Sequence, residues 1–372
     1  MRFLRCFVPA LCFLVLFPAF AASPIAAQTA PHAAATQSQA QPAMPQAYTL
    51  SPDKLAKAVK LNRIRNILEI AGSVWGVVFL WLLLATRTAT ALEAWAGRIV
   101  RRGWLQGLVF FAVLLVLNTL ADLPLSLYAH HVSLSYGISV QGWGSWLLDM
   151  GKSLGLTLVI GAPVLLLFNW IVGRWPRRYW FAAWVVALPL TVLSVFGEPL
   201  LEPIFNRYEP LAKNHPALVT ELERVVARTG TNIPPERMFL MDASVKTNGL
   251  NAYVSGMGAT KRIVVWDTTA GRIPDDEILF IFGHESGHYV LHHIPKGLAL
   301  TACALFFVFW ACAGFAACLV RRAGPRWRVD TLSSRAGFVL LLFVASVAGF
   351  VLEPAENAAS RHFEHQADVY GQ

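Results

Sequence analysis

The sequence predicts a mainly α-helical, polytopic membrane protein that also carries a small α+β domain. Of its 372 residues, 56% are hydrophobic and 14% are charged, whereas about 25% of the residues of a soluble globular protein are charged. Two polar, mixed segments interrupt an otherwise apolar chain and predict the part outside the membrane. Six apolar runs approach or reach spanning length, near residues 67–86, 104–128, 154–173, 180–205, 297–320 and 336–352.

The amino terminus, residues 1–21, has the pattern of a secretory signal peptide. Arg2 and Arg5 precede an apolar stretch, and Ala-Phe-Ala at residues 19–21 fits a small-x-small cleavage site. The alternative is an uncleaved first membrane helix, although two prolines interrupt this short run. Residues 22–47 are rich in Ala, Gln and Pro and predict a disordered linker.

The larger polar segment mixes two periodicities. Leu218, Leu222 and Val226 recur at helical spacing. Short strands are predicted at residues 238–241, 251–254 and 262–266. The predicted division is an N-terminal transmembrane domain of about four spans (48–205), the first part of the α+β domain (206–296), two transmembrane helices (297–352) and a last polar helix of the same domain (353–372).

The strongest motif is His-Glu-Ser-Gly-His at residues 284–288, an H-E-x-x-H pattern. Pro274 and the acidic residues that follow it predict a helix start, so the motif lies on a helix. His284 and His288 are then one turn apart on one face, and both imidazoles can reach one metal ion. Glu285 lies beside them, where a carboxylate can take a proton from a water at the metal. This arrangement is typical of the centre of a zinc peptidase.

A catalytic zinc needs a third protein ligand, and a gluzincin-type site takes a carboxylate from a later helix. Glu364 is the predicted third ligand, with His362 and His365 as alternatives. Asp368, one turn further, can accept a hydrogen bond from a ligand histidine and fix its tautomer. Arg361 can hold a carboxylate or stabilise an oxyanion. These side chains share one helix face, through residues 357, 361, 364 and 368.

The other histidines near the motif, His292 and His293, are expected to be interfacial side chains, because three ligands already leave the fourth position to water. The predicted fold class is therefore a polytopic helical membrane protein with an α+β, gluzincin-type zinc metalloprotease domain, expected to bind one Zn²⁺ per chain. The two halves of this domain must meet on one side of the membrane. The two spans between them, an even number, allow it.

Charged loops predict the orientation in the membrane. Arginines cluster in loops 87–102, 174–178 and 321–335, all on the face opposite the zinc motifs. The positive-inside rule places these loops in the cytoplasm and the zinc domain in the periplasm of a bacterial inner membrane. Basic residues between 54 and 65 oppose this orientation. The net charge is +9, and the arginines cluster beside apolar runs, so the lipid bilayer is the expected partner and nucleic acid is not expected.

Further segments resemble one family, the integral-membrane zinc metalloproteases typified by CAAX prenyl protease 1. The likeness covers most of the chain from about Tyr48 and includes both zinc motifs. The family usually has a membrane span where this chain has a signal-like segment, and it continues beyond Gln372, so the resemblance implies a truncated bacterial member. The other segments that carry it are residues 123–128, 136–141, 202–211, 251–253 and 261–268.

The resemblance implies a helical membrane chamber closed by the protease domain, with one zinc inside. It implies His284, His288 and Glu364 as ligands and Glu285 as the general base. Asn251 and Ala252 match an edge strand that pairs with an extended substrate. A turn role is the alternative for Asn251.

The predicted function is a membrane zinc metalloendopeptidase. Its partner is a peptide or protein substrate at the membrane, and CAAX-box processing is the family's known class. The alternative is a membrane transporter or scaffold with a structural zinc and no proteolysis. The sequence leaves the oligomeric state open.

Overall fold

The structure is a computed structural model that describes residues 51–256 and 258–371. The predicted signal peptide and linker, residues 1–47, lie outside these residues. Long helices dominate the described chain, which confirms the predicted helical class. They are α1 (Pro52–Ala85), α2 (Thr88–Ile99), α3 (Gly103–Ser135), α4 (Trp143–Arg174), α5 (Tyr179–Leu201), α6 (Pro216–Thr229), α7 (Asp267–Ala270), α8 (Asp275–Val290), α9 (His293–Trp327) and α10 (Arg335–Gly371).

Five of the described helices, α1, α3, α4, α9 and α10, are long and apolar enough to cross a membrane. In α5, the apolar part is the shorter segment Tyr179–Ser194. The helix α1 begins at Pro52, well before its apolar run, because proline at the first helical position favours a start there. Helix α2 was not predicted by the apolar pattern.

One end of the helical bundle gathers the arginine-rich loops. The Arg87 side chain donates to the Arg326 carbonyl oxygen over 3.0 Å. The Arg335 backbone N–H donates to the Glu93 carboxylate over 3.1 Å, and its guanidinium donates to the Gly103 carbonyl oxygen over 2.8 Å. The loops before α2, α3 and α10 therefore meet at one end.

The α+β unit lies at the opposite end and contains a four-stranded sheet of order β1-β2-β4-β3. Strand β2 runs parallel to β4, and β3 is an edge strand antiparallel to β4. The predicted strand at 251–254 is shifted by one residue, and β1 was not predicted because it is only three residues long. The strands are β1 (Tyr208–Pro210), β2 (Met238–Met241), β3 (Ala252–Ser255) and β4 (Arg262–Trp266).

The core of this unit joins α6 and α8 to the sheet. Leu218 and Leu222 of α6 pack with Ile278 and Phe282 of α8 and with Val265 of β4, all buried. The apolar stripe of α6 thus follows the spacing that the sequence indicated. The packing holds α8 against the sheet.

The last membrane helix and the polar helix after it form one continuous helix, α10. The sequence suggested a division at residue 353. Pro354 lies inside the helix without ending it, as prolines in membrane helices often do. The residues 357–368 therefore extend directly from the membrane span.

A polar junction fixes the sheet unit to the bundle. Lys246 lies before β3, and its ammonium contacts the Asp149 carboxylate of α4 at 2.6 Å and the Phe205 carbonyl oxygen at 2.6 Å. Ser139 and Thr247 form an isolated β-bridge. Both residues of the Lys246–Asp149 ion pair are largely buried, with side-chain exposures of 17% and 11%. The loop between α3 and α4 therefore holds the segment that leads into β3.

Candidate metal centre

Two helices bring three potential ligand atoms together. The Nε2 atoms of His284 and His288 on α8 lie 3.2 Å apart. The Glu364 Oε2 atom on α10 lies 3.3 Å from His284 Nε2 and 3.9 Å from His288 Nε2. A tetrahedral zinc with ligands at about 2.0–2.2 Å places its ligand atoms about 3.3 Å apart. The nature and the spacing of these donors therefore fit a zinc ion.

Glycines allow α8 and α10 to approach closely at this point. A Cβ atom added at Gly287 would lie 3.0 Å from the Tyr370 ring. One added at Gly371 would lie 2.9 Å from the His284 backbone nitrogen. A larger residue at either position would push the helices apart and separate the imidazoles from Glu364.

Each histidine has a second partner on its other ring nitrogen. His284 Nδ1 lies 2.8 Å from Asp368 Oδ1, and His288 Nδ1 lies 3.0 Å from His293 Nδ1. An Nδ1–H that donates outward leaves the Nε2 lone pair free for a metal. The structure therefore brings Asp368 into contact with the histidine pair, as the spacing on α10 suggested.

The expectation that His292 and His293 are both interfacial is wrong for His293. Its side chain is 1% exposed and contacts His288. His292 is exposed and has a left-handed backbone (φ 56°) between α8 and α9. This turn directs His293 back toward α8. The H-E-x-x-H pattern carries no signal for such a turn.

Carboxylates give the site a negative field. Burial disfavours the charged form of His284, but the hydrogen bond to Glu364 and the charges of Glu285, Glu364 and Asp368 outweigh burial and raise the pKa of His284. The same charges attract a metal cation. Burial lowers the pKa of His288, so its imidazole stays neutral, the form that a metal binds.

Glu285 lies between the histidines and the edge strand. Its carboxylate accepts a hydrogen bond from the backbone N–H of Val254 in β3. Burial raises the pKa of Glu285, and the Val254 N–H opposes this effect. A raised pKa brings a carboxylate closer to the range that suits proton transfer near neutral pH.

The remaining predicted residues have different environments. The Asn251 backbone N–H donates to Thr269 Oγ1 over 2.7 Å, and its carbonyl accepts from the Trp266 backbone N–H over 3.1 Å. Ala252 is buried at the start of β3. Arg361 is exposed on α10. Asn251 is thus fixed next to β4, and Ala252 opens the edge strand.

The two alternative third ligands, His362 and His365, do not lie with the motif histidines. Within residues 51–256 and 258–371, the triad of metal-compatible side chains that includes both motif histidines is completed by Glu364. His362 instead lies 3.2 Å from the Gln366 side-chain amide, and His365 is exposed.

Sequence reasoning gave no role to a partly buried cluster around Glu202, just after α5. Its carboxylate accepts hydrogen bonds from the hydroxyls of Tyr253 (2.9 Å) and Tyr208 (3.0 Å). Arg262 of β4 forms an ion pair with the same carboxylate. Burial raises the pKa of both tyrosines, so their hydroxyls remain protonated donors. The cluster ties β3, β4 and β1 to the membrane bundle.

The chain matches two known protein families, one in each half of the sequence. Residues 33–207 match the family described as CAAX prenyl protease N-terminal, five membrane helices, and residues 212–372 match Peptidase family M48. The Bacillus subtilis protein named uncharacterized metalloprotease YhfN is 34% identical over 87% of this chain and 75% of its own length.

Two further relatives and one solved structure are similar to parts or all of the chain. CAAX prenyl protease 1 of Saccharomyces cerevisiae is 35% identical over 55% of this chain and 45% of its own length. The Dictyostelium discoideum CAAX prenyl protease 1 homolog is 26% identical, and the match spans 70% of this chain and 61% of that protein. The crystal structure of S. mikatae Ste24p superposes with a TM-score of 0.72 at 23% identity, covering 100% of this chain and 87% of that chain.

Proposed function

Because this chain belongs to peptidase family M48 and is a membrane metalloprotease, we propose that it is a zinc endopeptidase with one zinc ion per chain. The observation that supports zinc best is the convergence of His284, His288 and Glu364, whose ligand atoms all lie within 4.8 Å of one another. Two imidazoles and one carboxylate are the ligand set of catalytic zinc sites that keep one position open.

Each nearby residue then has a defined task. When bound, zinc supplies Lewis acidity that lowers the pKa of a water to about 7 and polarises a carbonyl. Glu285 accepts a proton from the attacking water, whose oxygen bonds to the scissile carbonyl carbon. As the C–N bond breaks, Glu285 passes that proton to the leaving nitrogen. Asp368 holds His284 in the tautomer that presents Nε2.

The substrate is proposed to bind as an extra strand on β3, next to Asn251 and Ala252. An extended peptide can form ladder hydrogen bonds with a free strand edge, and β3 is at the edge of the sheet. Glu285 contacts the Val254 backbone of this strand. A bound peptide bond would therefore lie close to the proposed base. Arg361, exposed on α10, is proposed to bind a substrate carboxylate or to stabilise the oxyanion.

Membrane-associated peptides or proteins are the proposed substrates, because α10 places Glu364 on the extension of a membrane helix. The names of several relatives suggest CAAX-box peptides as one class. We assign residues 48–205 and 297–352 to the membrane domain and residues 206–296 and 353–372 to the protease domain. A transporter with a structural zinc is less well supported, since a structural site has four protein ligands and needs no base.

Removing the metal should abolish cleavage. Treating the purified, detergent-solubilised protein with phenanthroline is expected to lower hydrolysis of a quenched fluorescent peptide by at least about 100-fold, because metal-ion catalysis contributes several kcal/mol. Adding zinc should restore the rate. The control is the non-chelating isomer of phenanthroline. Undiminished cleavage without bound metal would reject the proposal.

The protease domain is proposed to face the periplasm, because the arginine-rich loops meet at the opposite end of the bundle. In a chain without native cysteines, Glu236→Cys in this domain is expected to react with a membrane-impermeant maleimide on intact spheroplasts. Arg322→Cys, at the arginine-rich end, should react only after permeabilisation. The opposite labelling pattern would place the protease domain in the cytoplasm.

A further inference from the structure

We propose that His293 is a positioning residue of the metal centre, which holds His288 in its metal-binding tautomer through a relay of side chains. The relay runs from His288 through His293 and Gln366 to His362. This inference rests on the proposed zinc function, since it concerns the second partner of a proposed ligand.

The relay is continuous, buried at His288 and His293, and reaches the surface at His362. His288 Nδ1 lies 3.0 Å from His293 Nδ1, and His293 Nε2 lies 2.9 Å from Gln366 Oε1. The Gln366 amide nitrogen lies 3.2 Å from His362 Nε2. The His293 side chain is 1% exposed, and its ring packs on Phe363 with centroids 4.8 Å apart. His293 is therefore held in place on both sides.

Metal binding fixes the direction of every hydrogen bond in this relay. If His288 binds the metal through Nε2, its only proton is on Nδ1 and is donated to His293 Nδ1. His293 must then carry its proton on Nε2 and donate to the Gln366 carbonyl oxygen. The Gln366 amide nitrogen, which can only donate, faces the lone pair of His362 Nε2. No position in the relay has two protons or two lone pairs in conflict.

The two proposed histidine ligands thus have different supports. His284 donates to a carboxylate, Asp368, whereas His288 donates to a neutral imidazole. Gln366 is two residues beyond Glu364 on α10. One helix therefore supplies the third ligand and the support of both imidazoles, and His293 connects it to the turn between α8 and α9.

Two substitutions of His293 separate hydrogen bonding from packing. In His293→Asn, the amide oxygen is as many bonds from Cβ as Nδ1 is, so an acceptor for His288 remains while the ring is lost. In His293→Phe, the ring that packs on Phe363 remains and the acceptor is lost. The exposed neighbour offers a matched control, His292→Asn, because Asn tolerates a left-handed backbone.

The measurement is the zinc dissociation constant of the full chain in detergent, by competition with a chelating dye. We expect His293→Phe to weaken zinc binding by about 10–100-fold, the range typical of lost outer-shell partners. His293→Asn should bind zinc more tightly than His293→Phe, and His292→Asn should match the wild type. The absorption spectrum of the cobalt-loaded protein should change with His293→Phe and stay near the wild type with His293→Asn. Asp368→Ala serves as the positive control.

Zinc binding by His293→Asn that is equal to or weaker than that of His293→Phe would overturn the relay. A separate variant, His288→Ala, tests the zinc proposal itself. If His288→Ala binds zinc as tightly as the wild type does, the zinc proposal fails. In that case both proposals fall. When the His288→Ala variant does lose zinc, the order of the two His293 variants tests the relay alone.

Discussion

Replacing Glu285 by Gln is expected to lower peptide cleavage by about 10²–10⁴-fold, the contribution typical of a general base. Gln keeps the size and a hydrogen-bond acceptor for the Val254 N–H, but its amide cannot take up a proton. The three proposed ligands remain, so bound zinc should stay at one ion per chain. The measurement combines the rate of peptide cleavage with metal analysis of the same preparation.

Glu277→Gln is the matched control for this experiment. Glu277 lies in the first turn of the same helix, α8, and is exposed. The Glu277→Gln variant should cleave the peptide at the wild-type rate. Wild-type cleavage by Glu285→Gln with its zinc in place would show that another group moves the proton, and the mechanism proposed for Glu285 would be wrong.

Replacing Arg262 by Met is expected to destabilise the protease domain by about 3–5 kcal/mol, because it leaves the largely buried Glu202 carboxylate without its cation. The side chains of Arg262 and Glu202 are 11% and 16% exposed. Two tyrosine hydroxyls still donate to the carboxylate, but they supply no charge. Thermal unfolding, followed in detergent by the near-ultraviolet signal of the domain's aromatic residues, measures the loss.

Arg224→Met provides the comparison for an exposed ion pair. Arg224 and Glu221 form a similar pair on α6, with side chains 64% and 38% exposed. Water screens such pairs, so this change should have little measurable effect on the unfolding temperature. Equally small effects of the two substitutions would mean that the ion pair between Arg262 and Glu202 adds no net stability.

The sequence predicted those parts of the site that follow helical spacing. His284 and His288 are four residues apart, and Glu364 and Asp368 are also four apart, so each pair must share a face. The residue types and their spacing in the sequence therefore suggest that the two pairs meet. The structure places them in contact.

Other contacts depend on tertiary structure and could not be predicted. His293 reaches His288 only because His292 adopts a left-handed conformation between two helices. Glu202 and Arg262 are 60 residues apart in the chain and meet through the sheet. Strand β1 is too short for a period-two pattern to be visible. Each of these features follows from how the elements pack.

The unbroken length of α10 sets how far a substrate must extend from the lipid. The helix has 37 residues, and at 1.5 Å per residue Glu364 lies about 43 Å from Arg335. If the hydrocarbon layer, about 30 Å thick, begins at Arg335 and the helix follows the membrane normal, Glu364 lies roughly 13 Å beyond this layer. An extended peptide gains about 3.3 Å per residue. A scissile bond at this height therefore requires a stretch of roughly four extended residues between it and the point where the substrate leaves the acyl chains.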